Sequence, residues 1–111
     1  MKSIEVRHYL TPDGRDPVVE WLDGMRDDRA RAAILLRIGR LERGLFGDCK
    51  SVGDGVSELR IDSGPGYRLY FGRYGNRLVL LLCGGDKRGQ RGDIARAKRY
   101  WSEYSQGTHA H

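Results

Sequence analysis

The chain has 111 residues, of which 39% are hydrophobic and 32% charged, with a formal net charge of +5 at pH 7. That length and balance fit one globular domain with a modest core and exclude a disordered chain. The longest apolar run, Leu78 to Cys83, is far too short for a membrane-spanning helix. The N-terminal MKSIEVRHYL lacks the apolar stretch of a secretory signal, so the cytoplasm is the expected location and no membrane partner is expected. Cys49 and Cys83 match no zinc or redox spacing, and no metal or other cofactor is expected. The basic balance points to an anionic partner. It is concentrated between Asp86 and Arg99, where six basic residues face two acidic ones.

Ser3 to Leu10 alternates loosely and reads as a first strand, with His8 at the sheet margin. TPDGRDP is dense in turn formers; Asp16 is a helix cap and Pro17 suits the first helical turn. Val18, Trp21, Leu22 and Met25 recur at helical spacing. A second helix starts at Asp27 and Asp28, with Ala30, Ala33, Ile34, Ile38, Leu41 and Leu45 as its apolar stripe and Gly44 and Gly47 at its end. Arg29, Arg37, Arg40 and Arg43 lie off that stripe, on a face that is either solvated or laid against an anionic partner. GDCKSVGDGVS reads as a loop. Three strands follow, at about Val56 to Asp62, Tyr67 to Arg73 and Arg77 to Cys83. The last is apolar on both faces and is expected to be central and covered twice. GGDKRGQRG is a basic loop, and a final helix begins near Asp93. A mobile tail is expected over residues 105–111, where His109 and His111 offer a weak metal-binding pair. The fold class is therefore α+β, a small antiparallel sheet with helices packed on one face, in the order β-α-α-β-β-β-α.

The stretch ELRIDSGPGYRLYF sets one arginine in the middle of each of two strands. Alternation puts Leu59 and Ile61 on the helix-covered face and Glu58, Arg60 and Asp62 on the other. Across the turn, Arg68 and Tyr70 share that open face. Two readings stand: a solvated face on which Glu58 pairs with an arginine, or an anion site completed by Lys87, Arg88 and Arg91 from the basic loop.

GDGVSELRIDSGPGYRLYFGRYGNRLVLLLCGGDKRGQRGDIARAKRYW, together with the upstream VVEWLDGM, resembles the RelE/ParE superfamily of toxins. The likeness is greatest to the phage Gp49-like, HigB-type addiction-module killer proteins. It spans Ile4 to Trp101 and is densest from Gly53. The resemblance implies a sheet backed by helices and a metal-independent, ribosome-dependent cut in messenger RNA. It implies catalytic roles for Arg60, Arg68, Lys87 and Glu58, and RNA contacts from Tyr70, Arg88, Arg91 and Lys50. Arg60 and Arg68 suit charge stabilisation because a guanidinium matches phosphate oxygens with two parallel donors. Glu58 is the candidate base and Lys87 the candidate acid. Two positions depart from RelE: Glu58 stands where RelE has a second lysine, and Asp93 or Ile94 where it has a tyrosine. The implied partners are the ribosome, messenger RNA and a helix-turn-helix antitoxin through which operator DNA is bound. A ParE-like inhibitor of DNA gyrase and a non-catalytic RNA- or protein-binding module are the competing readings.

Overall fold

Asp16 and Asp27 decide where the first two helices begin. In the computed structural model, which describes residues 3–109, the Asp16 carboxylate accepts from the backbone amides of Val18 and Val19 and opens α1 (Pro17–Asp23). Asp27 accepts from Ala30 N at 3.0 Å and opens α2 (Asp28–Leu41). Each supplies an acceptor for amides that the first helical turn leaves unpaired. Beyond Leu41 the chain turns through Gly44 at φ +74°, so Leu45, expected on the apolar stripe, is exposed.

Five strands form one sheet in the order β1-β5-β4-β3-β2. They are β1 (Glu5–His8), β2 (Cys49–Gly53), β3 (Val56–Ile61), β4 (Tyr67–Tyr74) and β5 (Leu78–Asp86). All neighbours are antiparallel except β1 and β5, which run parallel. The expected all-antiparallel meander is thus corrected at one edge, where β1 covers the side of β5 that the meander leaves open. His8 closes β1, with its Nδ1 2.9 Å from Asp16 Oδ2. The expected loop at residues 49–53 is also corrected, because it is the edge strand β2. Its side chains are nearly all exposed, so no burial pattern marks it in the sequence.

Helices cover both faces of the sheet, not one. On the first face Leu59, Ile61, Leu69, Phe71, Val79 and Leu81 meet Val18, Leu22, Ala30, Ile34 and Leu41 of α1 and α2. On the second, Val56, Tyr70, Leu80, Leu82 and Cys83 meet Ala97 and Trp101 of α3 (Gln90–His109). β5 is therefore covered twice, as its uniform apolarity requires. The α3 helix continues past residue 104, and the Tyr74 hydroxyl lies 3.0 Å from Ser105 Oγ. The expected tail is thus helical to His109; the His109 side chain and His111 lie outside the described residues. No helix among the described residues is long and apolar enough to cross a membrane.

Two strand glycines let the tryptophans close on the sheet. A Cβ on Gly72 would stand 2.1 Å from the Trp101 ring, and one on Gly84 would stand 2.2 Å from the Trp21 ring. Each glycine marks a place where an aromatic ring lies directly on the backbone. Gly72→Ala is expected to displace Trp101 and cost about 1–3 kcal/mol. In thermal denaturation this is a fall of several degrees in Tm, whereas Gly92→Ala, in a helix with open space above it, leaves Trp101 in place.

Candidate anion site on the sheet

The antiparallel register of β3 and β4 sets Arg60 directly opposite Arg68 and Glu58 directly opposite Tyr70. The row continues outward to Lys50 on β2, opposite Glu58, and inward to Cys83 on β5, opposite Tyr70. Directly opposed residues project to the same face, so Lys50, Glu58, Arg60, Arg68 and Tyr70 all lie on the α3 side of the sheet. The shared face was legible in the alternation. Its openness was not, because the first turn of α3 covers part of it.

Glu58 is 2% exposed, the single buried charged side chain among the described residues. Its Oε1 is 3.2 Å from Arg60 Nε and its Oε2 is 3.6 Å from Arg68 Nε. Gln90, at the start of α3, donates from Nε2 to Glu58 Oε2 at 2.9 Å. Like charges directly opposed across strands repel, and this carboxylate offsets the repulsion between Arg60 and Arg68. The side chains of Arg60 and Arg68 keep 34% and 15% of their exposure. Arg60 donates from Nε to Glu58 Oε1, whereas Arg68 Nε faces Glu58 at ion-pair distance, buried and without a hydrogen-bond partner among the described residues. Arg68 Nη1 donates to Tyr67 O at 3.2 Å, while Arg68 Nη2 and both terminal nitrogens of Arg60 donate to no group among the described residues. A guanidinium carries five N–H donors in a fixed fork, so anchoring the Nε edge fixes the direction of the remaining donors.

Two expectations are corrected by this burial. Glu58, the candidate base, is enclosed, accepts from Arg60 Nε and Gln90 Nε2 and is ion-paired with Arg68, so it is placed to orient the arginines rather than to meet a substrate. Tyr70, the candidate RNA contact, is fully buried and cannot stack on a base. Its hydroxyl has no hydrogen-bond partner, and burial raises its proton affinity well above the ordinary tyrosine value, with Glu58 and Asp93 adding to the effect.

Lys87, Arg88 and Arg91 lie at the rim and are exposed. Asp86 caps the 3₁₀ turn Lys87–Gly89, accepting from Arg88 N at 2.9 Å, and its own proton affinity is lowered by the Arg88 side chain. Lys87 N donates to Gly66 O at 2.9 Å, tying the turn to the β3–β4 connection. A Cβ on Gly66 would lie 3.6 Å from Arg68 Nη1 and 3.9 Å from Lys87 Cβ, so Lys87 and Arg68 approach each other over this glycine. Lys87, Arg88, Gln90, Arg91 and Ile94 line an open cleft of about 490 Å³. Lys50 stays exposed on the outer strand, at the far side of Glu58 from this cleft. Among the described residues no group of three or more His, Cys, Asp or Glu is placed to hold a metal ion.

Three contributors escaped the sequence reading. Gln90 holds Glu58. Asp93 lies over Gly85, the β5 partner of Arg68, where a Cβ would stand 1.9 Å from Asp93 Oδ2. The Gly84-Gly85 doublet inside an apolar strand was the available signal for these close approaches. Arg37, expected on the outer face of α2, instead clamps the lead-in to β2 and β3, donating to Arg60 O at 2.7 Å, Phe46 O at 3.1 Å and Asp48 O at 3.2 Å.

Burial raises the proton affinity of Asp93 above the ordinary carboxylate value; Arg96, 3.2 Å away, opposes this and Asp86 adds to it. A carboxyl group that binds its proton more tightly in the folded chain destabilises the fold as pH rises through the carboxylate range. Asp93→Asn is therefore expected to raise Tm at pH 7, and the gain is expected to vanish as the pH falls below about 4. Thermal denaturation across pH checks this; a gain that grows toward acid pH contradicts it.

The chain is similar to an uncharacterized protein of Haemophilus influenzae: 49% of residues are identical over 96 positions, covering 86% of this chain and 91% of that protein. No family model matches the chain.

Proposed function

The chain belongs to the same family as that Haemophilus influenzae protein, and from the arginine pair on its sheet we propose that it is the toxin of a type II toxin–antitoxin module. In this reading it is a cytoplasmic RelE/ParE-superfamily protein of HigB type that cuts messenger RNA on the ribosome without a metal. One observation carries the reading: two guanidiniums, opposed in register and both paired in charge with Glu58, leave both terminal nitrogens of Arg60 and Nη2 of Arg68 free near an exposed lysine. The resemblance of the Gly53 to Trp101 stretch to that superfamily supports it, and so does the excess of cations between Asp86 and Arg99.

The chemistry follows from this arrangement. The ribose 2′-oxygen attacks the adjacent phosphorus, giving its proton to a base. The bond from phosphorus to the 5′-oxygen breaks, and that oxygen takes a proton from an acid. The products are a 2′,3′-cyclic phosphate and a 5′-hydroxyl. Arg60 and Arg68 bind the nonbridging oxygens as negative charge accumulates on them. Lys87, exposed and with its Cβ near Gly66 and the Arg68 guanidinium, takes the role of acid. Arg88, Arg91 and Lys50 hold neighbouring phosphates. No free carboxylate or imidazole among these residues serves as base, so the ribosome or the message supplies proton acceptance, which accounts for dependence on the ribosome. A helix-turn-helix antitoxin silences the toxin and carries it to operator DNA.

The test is induced expression followed by mapping of message 5′ ends. The native chain is expected to produce cuts inside translated frames. Arg68→Ala is expected to lower cutting by about 10²–10³-fold, the scale of losing one preorganised donor to a developing anion. Arg68→Lys, which keeps the charge that Glu58 faces, controls for folding and is expected to remain well below native activity. Intact messages with DNA damage would assign the chain to gyrase inhibition. Ribosome binding without cleavage would leave a binding module.

A further inference from the structure

The α2 helix has a second apolar stripe, on the side facing away from the sheet. Ala32, Leu35, Leu36 and Gly39 follow the spacing of a single helix face, and all four are exposed. Leu35 and Leu36 are 51% and 57% exposed, so their contact area belongs to nothing in the described fold. Gly39 sits inside the helix at ordinary helical φ, and nothing lies within 4 Å of where its Cβ would stand. Glycine weakens a helix relative to alanine, and alanine would fit this site, so the fold itself gives no reason for the residue. A small residue beside two exposed leucines suits the close approach of another backbone.

The two flanks of the stripe differ in charge. Arg29 and Arg40 stand seven and four residues from Leu36, on its flank, Arg43 follows just past the end of the helix, and all three are exposed with no ion pair among the described residues. On the Leu35 flank stand Asp28, Arg31 and Glu42, and Asp28 is already paired with Arg31 at 3.0 Å. We propose that the outer face of α2 is a docking surface for an amphipathic helix of a partner protein, one that lays an apolar stripe on Leu35 and Leu36 and a row of carboxylates along Arg29, Arg40 and Arg43. A second copy of this chain fits badly. Antiparallel pairing of two α2 helices about a two-fold axis puts the arginine flanks of both copies on the same side, six cations together. RNA would satisfy the arginines and leave the leucines in water. The surface lies across the sheet from the Arg60–Arg68 pair, because α2 packs on the first face and that pair projects from the second. A bound partner therefore leaves the anion site uncovered, and the proposal stands whether or not that site cuts RNA.

The experiment is an amide-resolved NMR titration of the full chain with a synthetic helical peptide carrying leucines at one-face spacing and glutamates along one flank. Shifts are expected to be confined to residues 28–43, with a Kd of about 100 μM or tighter. Leu36→Glu, a surface change, is expected to weaken binding by at least about tenfold, and so is Gly39→Gln, which adds bulk without harming the helix. Replacing the peptide glutamates by lysines is expected to abolish binding. Equal binding of the lysine peptide, or shifts elsewhere, would overturn the proposal. So would sedimentation showing a dimer that Leu36→Glu dissociates, or stronger effects on the same amides from an RNA duplex or from phosphatidylserine-containing vesicles.

Discussion

A single buried carboxylate holds the two halves of the anion site together. Register alone would set Arg60 and Arg68 face to face, a repulsive arrangement on a strand pair. Glu58, one row away on the same face, accepts from Arg60 Nε, pairs its charge with Arg68 and is itself fixed by Gln90. Removing Glu58 would leave two part-buried arginines opposed across the strands with no carboxylate between them. The network therefore links the β3–β4 hairpin to the start of α3. The arginines, expected in mid-strand, stand one residue from the turn that joins β3 and β4, where pairing register and a neighbouring row bring two guanidiniums onto one acid.

The rest of the second face serves that placement. Gly85 has no side chain, so Asp93 can lie on the strand beside Arg68, and Gly72 admits Trp101 one helical stretch later. These approaches seat α3 low on the sheet, so that its first turn reaches Glu58 while the chain just before it, Lys87 to Gly89, stays at the rim. The backbone bond from Lys87 to Gly66 then ties the exposed Lys87 to the connection that leads into Arg68. Cations at the rim and a buried acid beneath them make a surface that is positive outward and compensated inward. That polarity suits a phosphate chain passing over the site.

Much of this was legible in the residues, and the omissions have physical causes. Alternation in ELRIDSGPGYRLYF identified the hairpin and put Arg60 and Arg68 on one face, because strand periodicity acts locally. The caps Asp16 and Asp27 were legible for the same reason. The strand at Cys49–Gly53 was not, since an exposed edge strand buries almost nothing and shows no pattern. The parallel pairing of β1 with β5 depends on a connection through two helices, which no local signal encodes. Burial of Glu58 and Tyr70 depends on which face α3 takes, a long-range choice. Its trace in the sequence was the glycines at 72 and 85, which look like weak points in strands until a side chain is seen to fill each gap.

The account rests on Glu58 facing both arginines at Nε, hydrogen-bonded to Arg60 and ion-paired with the buried Nε of Arg68, and the most direct measurement is NMR of the arginine Nε–Hε groups. Arg60 and Arg68 are expected to give two slowly exchanging cross-peaks shifted from those of solvated arginines, and Glu58→Gln is expected to move both together. Cross-peaks at solvated-arginine positions that Glu58→Gln leaves unchanged would contradict it.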